Sequence, residues 1–436
     1  MSVEFDMAAI APFFPAIFPA IAAICVWFCL RAGKHKRLID TLPTSKVQGV
    51  LIGLTEVKGS VECAHPITSY LAGATCVYYS YCVEEHWSRG SGKNKRDGWT
   101  TVASDTRSVP FYLRDDTGAL LVRPEGATVE GRLAFSQTCG RSDPLYYAKG
   151  PANAIANSTG TRRFTEHTLD LNAPLYIVGQ ARERQDVIAP EIAAHPDAEM
   201  YLISVRTEEK ISRGFWWKFW GLGLFGLVLC ATPFWARDMA LKQPFSSFEW
   251  PLTYSLLYAN VWFWGWLITS VNSLIALRQR VRQAWAQVDV QLKRRHDLIP
   301  NLVSVVTASR DHEARVQEAV AALRSQMTAT PPGVAGADYE SVHSRLIVLA
   351  EAYPDLKTSE AFLQLSRNLS DTEQRIALAR EYFNNIATFY NTRLETIPDC
   401  WLAQLVSMEP AALMQANGFE RAPVKINFNT EKIIAK

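Results

Sequence analysis

Four side chains in the front half are of the types that bind zinc, arranged as Cys63-x-His65 and Cys82-x-x-x-His86. Zinc needs thiolates and imidazoles converging as a tetrahedron. Nothing between these pairs fixes such a convergence, and Cys and His in strands commonly just pack. The favoured reading is structural, with no metal and no cofactor. A second group sits far along the chain, where Asp289, His296 and Asp297 share one helical face at spacings of seven and eight. They can form a polar site inside a bundle. The simpler arrangement pairs Asp289 with Lys293 one turn on and leaves His296 and Asp297 solvated or satisfied. Lys293, Arg294 and Arg295 lie about 25 Å beyond the preceding apolar run at helical rise, too far for a lipid-headgroup patch. With Asp289 they are the expected contacts for a second copy or another protein. Gly53, Gly59, Gly90 and Gly92 fit no phosphate-cradling pattern, and neither GxSxG nor HExxH occurs. No catalytic residue is predicted, and an enzyme is the weaker class.

The rest of the composition favours a membrane protein over a nucleic-acid binder. A formal net charge of +2 over 436 residues gives no electrostatic footprint for nucleic acid. Most of the 13 tryptophans crowd the apolar stretches, where indoles suit membrane interfaces. Eight cysteines (Cys25, Cys29, Cys63, Cys76, Cys82, Cys139, Cys230, Cys400) show no C-x-x-C pair and no regular spacing. A disulfide framework is therefore not expected, which fits a reducing compartment.

Three apolar runs organise the chain. Residues 8–30 carry no charge over the length a bilayer core requires, although Pro12, Pro15 and Pro19 loosen the first half. Glu4 and Asp6 ahead of the run argue against a cleaved signal peptide. Arg31, Lys34, Lys36 and Arg37 follow at once. The second run, 219–235, is preceded by Lys210, Arg213 and Lys218, and the third, 252–277, is followed by Arg278, Arg280 and Arg282. By the positive-inside rule all three basic flanks are cytoplasmic and the N-terminus faces outward. Arg31, Lys34, Lys36, Arg37, Arg278, Arg280 and Arg282 are the expected lipid-headgroup contacts.

Between the first two runs, residues 46–212 alternate with period two. VQGVLIGL, ATCVYYSYCVEEHW, SVPFYLRDDTGALLVRP, FTEHTLDL, APLYIVGQA and EMYLISVR read as strands. Asp115-Asp116-Thr117-Gly118 predicts a hairpin turn, RGSGKNKR (89–96) a solvated hairpin tip, and 137–161 a long loop. After the third run the period becomes helical. Leu277, Val281, Trp285, Val288 and Leu292 recur at three and four, continuing the apolar run into a soluble helix with no stop signal. Helices are expected again over 312–327 and from Val342 to Pro354. A coiled-coil-like helix of about 58 Å follows over 359–397, unbroken although Ser370-x-x-Glu373 offers an alternative start. The bundle is set at 278–408 and the tail at 409–436, where VKINFN is a short strand or docking segment.

Two stretches resemble known families. NSLIALRQRVRQAWAQVDVQLKRRHDLIPNLV, HEARV, LAEAYPDLKTSEAFLQL and TEQRIALAREYFNNIATFYNTRLETIP, within about 272–403, resemble the LemA family. That resemblance implies a membrane-anchored antiparallel helical bundle of bacterial origin with no established reaction. The chain departs from it after Ile397-Pro398, where the aromatic-rich closing pattern is missing. Residues from about 47 to 231 resemble the GIDE domain of MULAN-type membrane ubiquitin ligases, through GLTEVKGSVEC, CVYYSYCVEEHW, SVPFYLRDDTGALLVRP and EEKISRGFWWKFWGLGLFGLVL. Those ligases place a RING after the second membrane helix. This sequence has no Cys/His array there, so ligase activity does not carry over.

The expectation is a multi-domain membrane protein with three transmembrane helices, a β-rich cytoplasmic domain and a C-terminal antiparallel long-helix bundle. It is expected in the bacterial inner membrane as a non-enzymatic scaffold. Its partners are membrane lipids, further copies of itself as a homo-oligomer and unidentified proteins, with no nucleic acid. The alternatives are a regulatory module whose β-rich domain senses a ligand or partner, and a relay carrying strain from the third apolar helix into the bundle.

Overall fold

The protein is described by a computed structural model covering residues 11–50, 52–90, 95–184, 189–196, 198–241, 244, 248–309 and 360–414. The helices expected within 312–354 and the VKINFN segment lie outside the described residues. The chain divides into two compact units, Met1–Leu277 with Arg393–Met408, and Arg278–Thr392 with Glu409–Lys436.

The first unit begins with helix α1, Phe14–Asp40, which is uncharged until Arg31 and contains Pro19. Thr41 ends it, its hydroxyl donating to the Arg37 carbonyl at 2.6 Å. A β-rich region follows, with thirteen strands and a short helix (α2, Pro144–Ala148) among the described residues. Helices α3 (Glu208–Ala231), α4 (Pro233–Leu241) and α5 (Glu249–Ser309) come next. Packing fixes how α1 and α3 run. Ala22 and Val26 meet Cys230 near one end, and Leu38 and Ile39 meet Ile211 near the other, so the two are antiparallel. Tyr258 of α5 joins the Ala22 end while Thr269 of α5 accepts a hydrogen bond from Arg37 at 3.2 Å. The first half of α5 is therefore parallel to α1. Two glycines let α3 and α5 approach closely. A Cβ on Gly223 would lie 2.5 Å from the Trp262 ring, and one on Gly226 2.1 Å from the Tyr258 hydroxyl.

Two helices among the described residues, not the expected three, are long and apolar enough to cross a membrane: Ala11–Asp40 and Glu208–Ala231. The third run is helical, but Tyr254, Tyr258, Asn260, Trp262, Trp264, Trp266, Ser270 and Asn272 replace much of its aliphatic content. Only 28% and 17% of the two apolar windows are covered by protein, whereas a core helix of a soluble domain would be covered over most of its length.

The β-rich region holds two sheets. In the first, β2 (Gly53–Glu62), β6 (Phe111–Arg114), β7 (Ala119–Val122), β12 (Pro190–Ile192) and β11 (Pro174–Glu183) pair in turn, and β11 pairs back to β2. This ring closes a five-stranded barrel and removes its edges. β1 (Thr44–Ser45) runs parallel to β2, and β13 (Leu202–Ser204) links β11 to β8 (Thr128–Glu130). The inward set includes Val57, Val61, Phe111, Leu113, Leu120, Val122, Leu175, Ile177 and Ile203, all buried. The second sheet lays β3 (Ile67–Thr68) and β5 (Arg96–Ser108) against β4 (Thr75–Arg89), then β10 (Ser158–Asp170) and β9 (Arg132–Gly140).

Local expectations fared unevenly. The 115–118 turn joins β6 to β7, with the Asp115 carboxylate accepting from the Thr117 and Gly118 amides at 2.7 and 3.0 Å. Arg89 pairs with Arg96 across the end of β4 and β5, as a hairpin there requires, and residues 91–94 between them lie outside the described residues. The strand expected at 47–54 instead starts at Gly53, after a 3-10 turn at Val47–Gly49. The expected loop 137–161 is shorter, because β9 runs to Gly140, α2 occupies its middle and β10 opens at Ser158. Strands β5 and β9 escaped the sequence reading because both lie at sheet edges and are largely exposed, with little apolar alternation.

In the second unit, α5 continues as one helix to Ser309. Helix α6, Glu360–Glu395, is unbroken across Ser370 and Glu373. Trp285 packs edge-on against Phe383 with ring centroids 5.2 Å apart, and Tyr390 has Arg278 and Arg282 as charged neighbours. Residue numbers rise on one helix as they fall on the other, so α5 and α6 are antiparallel. Their buried residues, Val281, Ala284 and Val288 with Ile376, Ala379, Phe383, Ile386 and Ala387, carry the heptad-like spacing read from sequence.

Candidate functional site

Where the apolar helices meet the barrel, a buried carboxylate anchors a polar joint. Glu56 on β2 is fully buried. It accepts hydrogen bonds from the Thr44 hydroxyl at 2.5 Å and the Tyr176 hydroxyl at 2.8 Å. Lys58 Nζ lies 3.3 Å from Glu56 and 2.8 Å from Glu208, the first residue of α3, and sits over the Tyr176 ring. An apolar collar surrounds the group, comprising Leu38, Ile39 and Leu42 with Val178, Met200, Leu202 and Ile211. Burial raises the Glu56 pKa, and the hydrogen bonds from Thr44 and Tyr176 only partly offset this. Burial pulls Lys58 down, but the bond to Glu208 and the nearby carboxylates outweigh it and its pKa is raised. The arrangement fixes α3 and the chain leaving α1 onto two barrel strands; no displaceable nucleophile takes part.

A second polar centre lies in the other sheet. Arg162 on β10 and Glu85 on β4 are both fully buried, with Arg162 Nη2 3.1 Å from Glu85 Oε2. Tyr146 donates to Glu85 at 2.8 Å and stacks under the guanidinium, 3.9 Å from its ring centroid. The guanidinium also donates to the carbonyls of Tyr146, Pro151 and Asn153 at 2.7, 2.8 and 3.2 Å. One arginine thus ties down three backbone carbonyls of the 146–153 segment, where the sequence had no strand pattern to read.

A third feature runs along α6. Asn384 donates to the Met414 carbonyl at 3.0 Å and accepts from its amide at 2.9 Å. Asn391 does the same with Ala411 at 2.9 and 2.8 Å. Tyr390 donates to the Glu409 carbonyl at 3.0 Å. Two asparagines seven apart on one helical face therefore grip the backbone of 409–414. The signal was present in the sequence as an i, i+7 Asn pair, but it has meaning only with the partner segment in view.

The sequence-predicted residues are dispersed. Cys63 packs on the barrel core and His65 is exposed. Cys82 lies 3.8 Å from the Thr101 hydroxyl in the other sheet. His86 contacts Thr159 at 3.0 Å and Asp97 at 3.4 Å and stacks edge-on against Trp99. Among the described residues no group of three or more His, Cys, Asp or Glu could hold a metal ion. In the bundle, Asp289 Oδ1 is buried without a hydrogen-bond partner while Lys293 and Arg294 are exposed. The side chains of Arg295 and His296 lie outside the described residues. Of the basic flank, Arg31 sits over Trp27, Lys34 is 3.3 Å from Glu199, Lys36 pairs with Asp40, and Arg37 lies over Trp266. Arg278 and Arg280 are half-buried, and Arg282 is exposed.

Comparison with known proteins agrees with this division. Residues 284–428 match the model of the LemA family, and residues 80–235 match the GIDE model, described as E3 Ubiquitin ligase. A relative, "Protein LemA" of Metamycoplasma hominis, is 25% identical over 158 residues, spanning 35% of this chain and 72% of that protein. The chain carries a LemA-family region behind a GIDE-like domain.

Proposed function

We propose that this chain is a non-enzymatic, membrane-anchored scaffold that self-associates at a bacterial inner membrane. The observation that carries the reading is the placement of charge on α1 and α3. Lys34 and Arg37 on α1 and Lys210 and Arg213 on α3 lie at the same end of the antiparallel pair, beside the barrel. The opposite end is apolar. By the positive-inside rule the barrel faces the cytoplasm and the N-terminus faces out, and the bundle shares the barrel's side through a third crossing by the aromatic-rich first part of α5, which packs parallel to α1. The GIDE-like domain is then a rigid platform on the membrane, with the Glu56 joint transmitting its position to α3. The α5–α6 pair presents a long face for lateral contacts, with the exposed Lys293 and Arg294 toward a second copy. The GIDE model is described as E3 Ubiquitin ligase, and the resemblance to RING-bearing ligases would put a RING after the second apolar helix. Here helix α5 and the LemA-family match follow the second apolar helix.

Projection imaging of the full chain in mild detergent tests this reading. Discrete rings or multimers are expected, and a monomer at micromolar concentration overturns self-association. The rival reading, in which the GIDE-like domain binds a ligand or metal, is tested separately. Replacing Cys63, His65, Cys82 and His86 together with serine or alanine leaves assembly unchanged in a scaffold, and metal analysis finds no stoichiometric zinc.

A further inference from the structure

After α6 the chain turns at Thr396–Pro398 into a short helix, α7 (Asp399–Leu405), that the sequence reading did not anticipate. Its two faces differ sharply. Leu402 and Ala403 are buried, whereas Trp401 and Leu405, one turn apart on the helix, are 62% and 78% exposed, and Ile397 in the turn just ahead of it is 72% exposed. A water-facing segment does not gather a tryptophan and two large aliphatics on its surface without something to cover them.

The position of α7 says what covers it. Arg393 is its tether, donating to Asp399 in an ion pair and to the Ser273 hydroxyl of α5 at 2.8 Å. Arg37, near the basic end of α1, has Arg393 and Asp399 as its charged neighbours and donates to Thr269. Ser273 lies five residues beyond Ile268, which is 55% exposed, so the tether sits about 8 Å along the helix from outward apolar surface. That depth belongs to the headgroup boundary, where a basic cluster and an amphipathic tryptophan are both at home. We propose that α7 is an interfacial foot. Its Ile397–Trp401–Leu405 stripe lies in the cytoplasmic leaflet, so the helix returning from the bundle is held to the membrane at a second point. The occupant of the stripe is lipid. A short apolar face of this kind gives weak, reversible membrane attachment, and the α1–α3 anchor raises its local concentration at the surface.

The inference rests on the reading of α1 and α3 as membrane helices, and the experiment separates the two. The full chain is made with p-benzoylphenylalanine replacing one residue at a time at Trp401, Leu405, Gln404 or Phe225. It is reconstituted into vesicles of phosphatidylethanolamine and phosphatidylglycerol and irradiated, and lipid adducts are counted by mass. Phe225, on the outer side of α3, reports the anchor itself. Adducts at Trp401 and Leu405 within about threefold of Phe225, and roughly fivefold or more above Gln404, are the expected result for an interfacial helix. Adducts at Phe225 with none at 401 and 405 overturn the foot alone. Crosslinks from 401 and 405 to a second copy also overturn it, because the stripe is then a protein interface. Absence of adducts at all four positions overturns the membrane reading first.

Discussion

Arg162 and Glu85 form an ion pair in which neither side chain reaches solvent, with Nη2 and Oε2 3.1 Å apart. The pair is tolerable because both partners are saturated. Glu85 also accepts from Tyr146 and Ser158, and Arg162 also serves three backbone carbonyls. Removing one partner strands the other. Arg162→Leu is expected to destabilise the β-rich region by about 3–5 kcal/mol, the range for an uncompensated buried charge. Adding Glu85→Gln should recover part of that loss, because the stranded charge is then gone. Pulse proteolysis in urea on detergent-solubilised protein measures both. A loss under about 1 kcal/mol for Arg162→Leu would mean water reaches the site and the pair is not buried in solution.

Acid should act on three buried carboxylates in opposite directions. Burial pushes Glu85 and Glu191 upward, but Glu85's bonds from Ser158, Tyr146 and Arg162, and Glu191's from Arg123 and Arg182, outweigh it. Both end below the ordinary 4.5. Their stabilisation is present above pH 4.5 and is lost as pH falls through the lower folded values. Glu56 is raised, so its folded form holds the proton more tightly. Its contribution grows as pH falls through that raised value and is complete below 4.5. Glu191→Gln should therefore lower stability at pH 7 and flatten the acid limb. Glu56→Gln should leave stability at pH 7 unchanged or higher, since its amide oxygen still accepts from Thr44 or Tyr176. Urea midpoints from pH 7 to pH 3.5 check both signs.

The frame of this molecule was legible where periodicity was strong. The α6 helix, the α5 continuity, the 115–118 turn and the Arg89–Arg96 hairpin pairing all follow from spacing or turn chemistry. Composition misled at the third apolar run, where tryptophans and tyrosines look apolar to the eye but lower its hydropathy. The polar centres were not legible at all. Glu56 and Tyr176 are 120 residues apart, and Arg162 and Glu85 are 77 apart, so only barrel closure and strand order bring them together. The same holds for Cys63 and Cys82, which sequence placed in one imagined site: the fold packs Cys63 on the barrel core just after β2 and puts Cys82 on β4 of the other sheet.

The asparagine pair on α6 makes a prediction that sequence could not. Each amide of Asn384 and Asn391 satisfies both a carbonyl and an N–H of the passing 409–414 segment. Replacing either with alanine removes two bonds at about 1 kcal/mol each. Asn384→Ala with Asn391→Ala should release residues 409–414 and increase their amide hydrogen exchange by about 10²-fold or more. Exchange in the Ile376–Phe383 part of α6, held by its own packing, should stay within a few-fold of wild type. Equal loss of protection in both places would show that the 409–414 segment is a structural brace of the helix and not separately docked.

Two glycines on one helix test how closely α3 and α5 pack. Glycine to alanine in a helix normally stabilises by about 1 kcal/mol through propensity. At Gly221, where a Cβ would meet nothing within 4 Å, that gain should appear in full. At Gly226 the new Cβ would lie 2.1 Å from the Tyr258 hydroxyl and 2.6 Å from its ring carbon. Tyr258 cannot simply swing away, because its hydroxyl donates to the Gly223 carbonyl at 3.0 Å and its ring is buried. Overpacking costs of about 1–3 kcal/mol should exceed the propensity gain, so Gly226→Ala destabilises. A smaller side chain opposite should restore the balance, so Tyr258→Leu with Gly226→Ala should be more stable than Gly226→Ala alone. Thermal unfolding of the detergent-solubilised chain orders these variants. If Gly226→Ala melts no lower than Gly221→Ala, the two helices stand further apart than this packing places them.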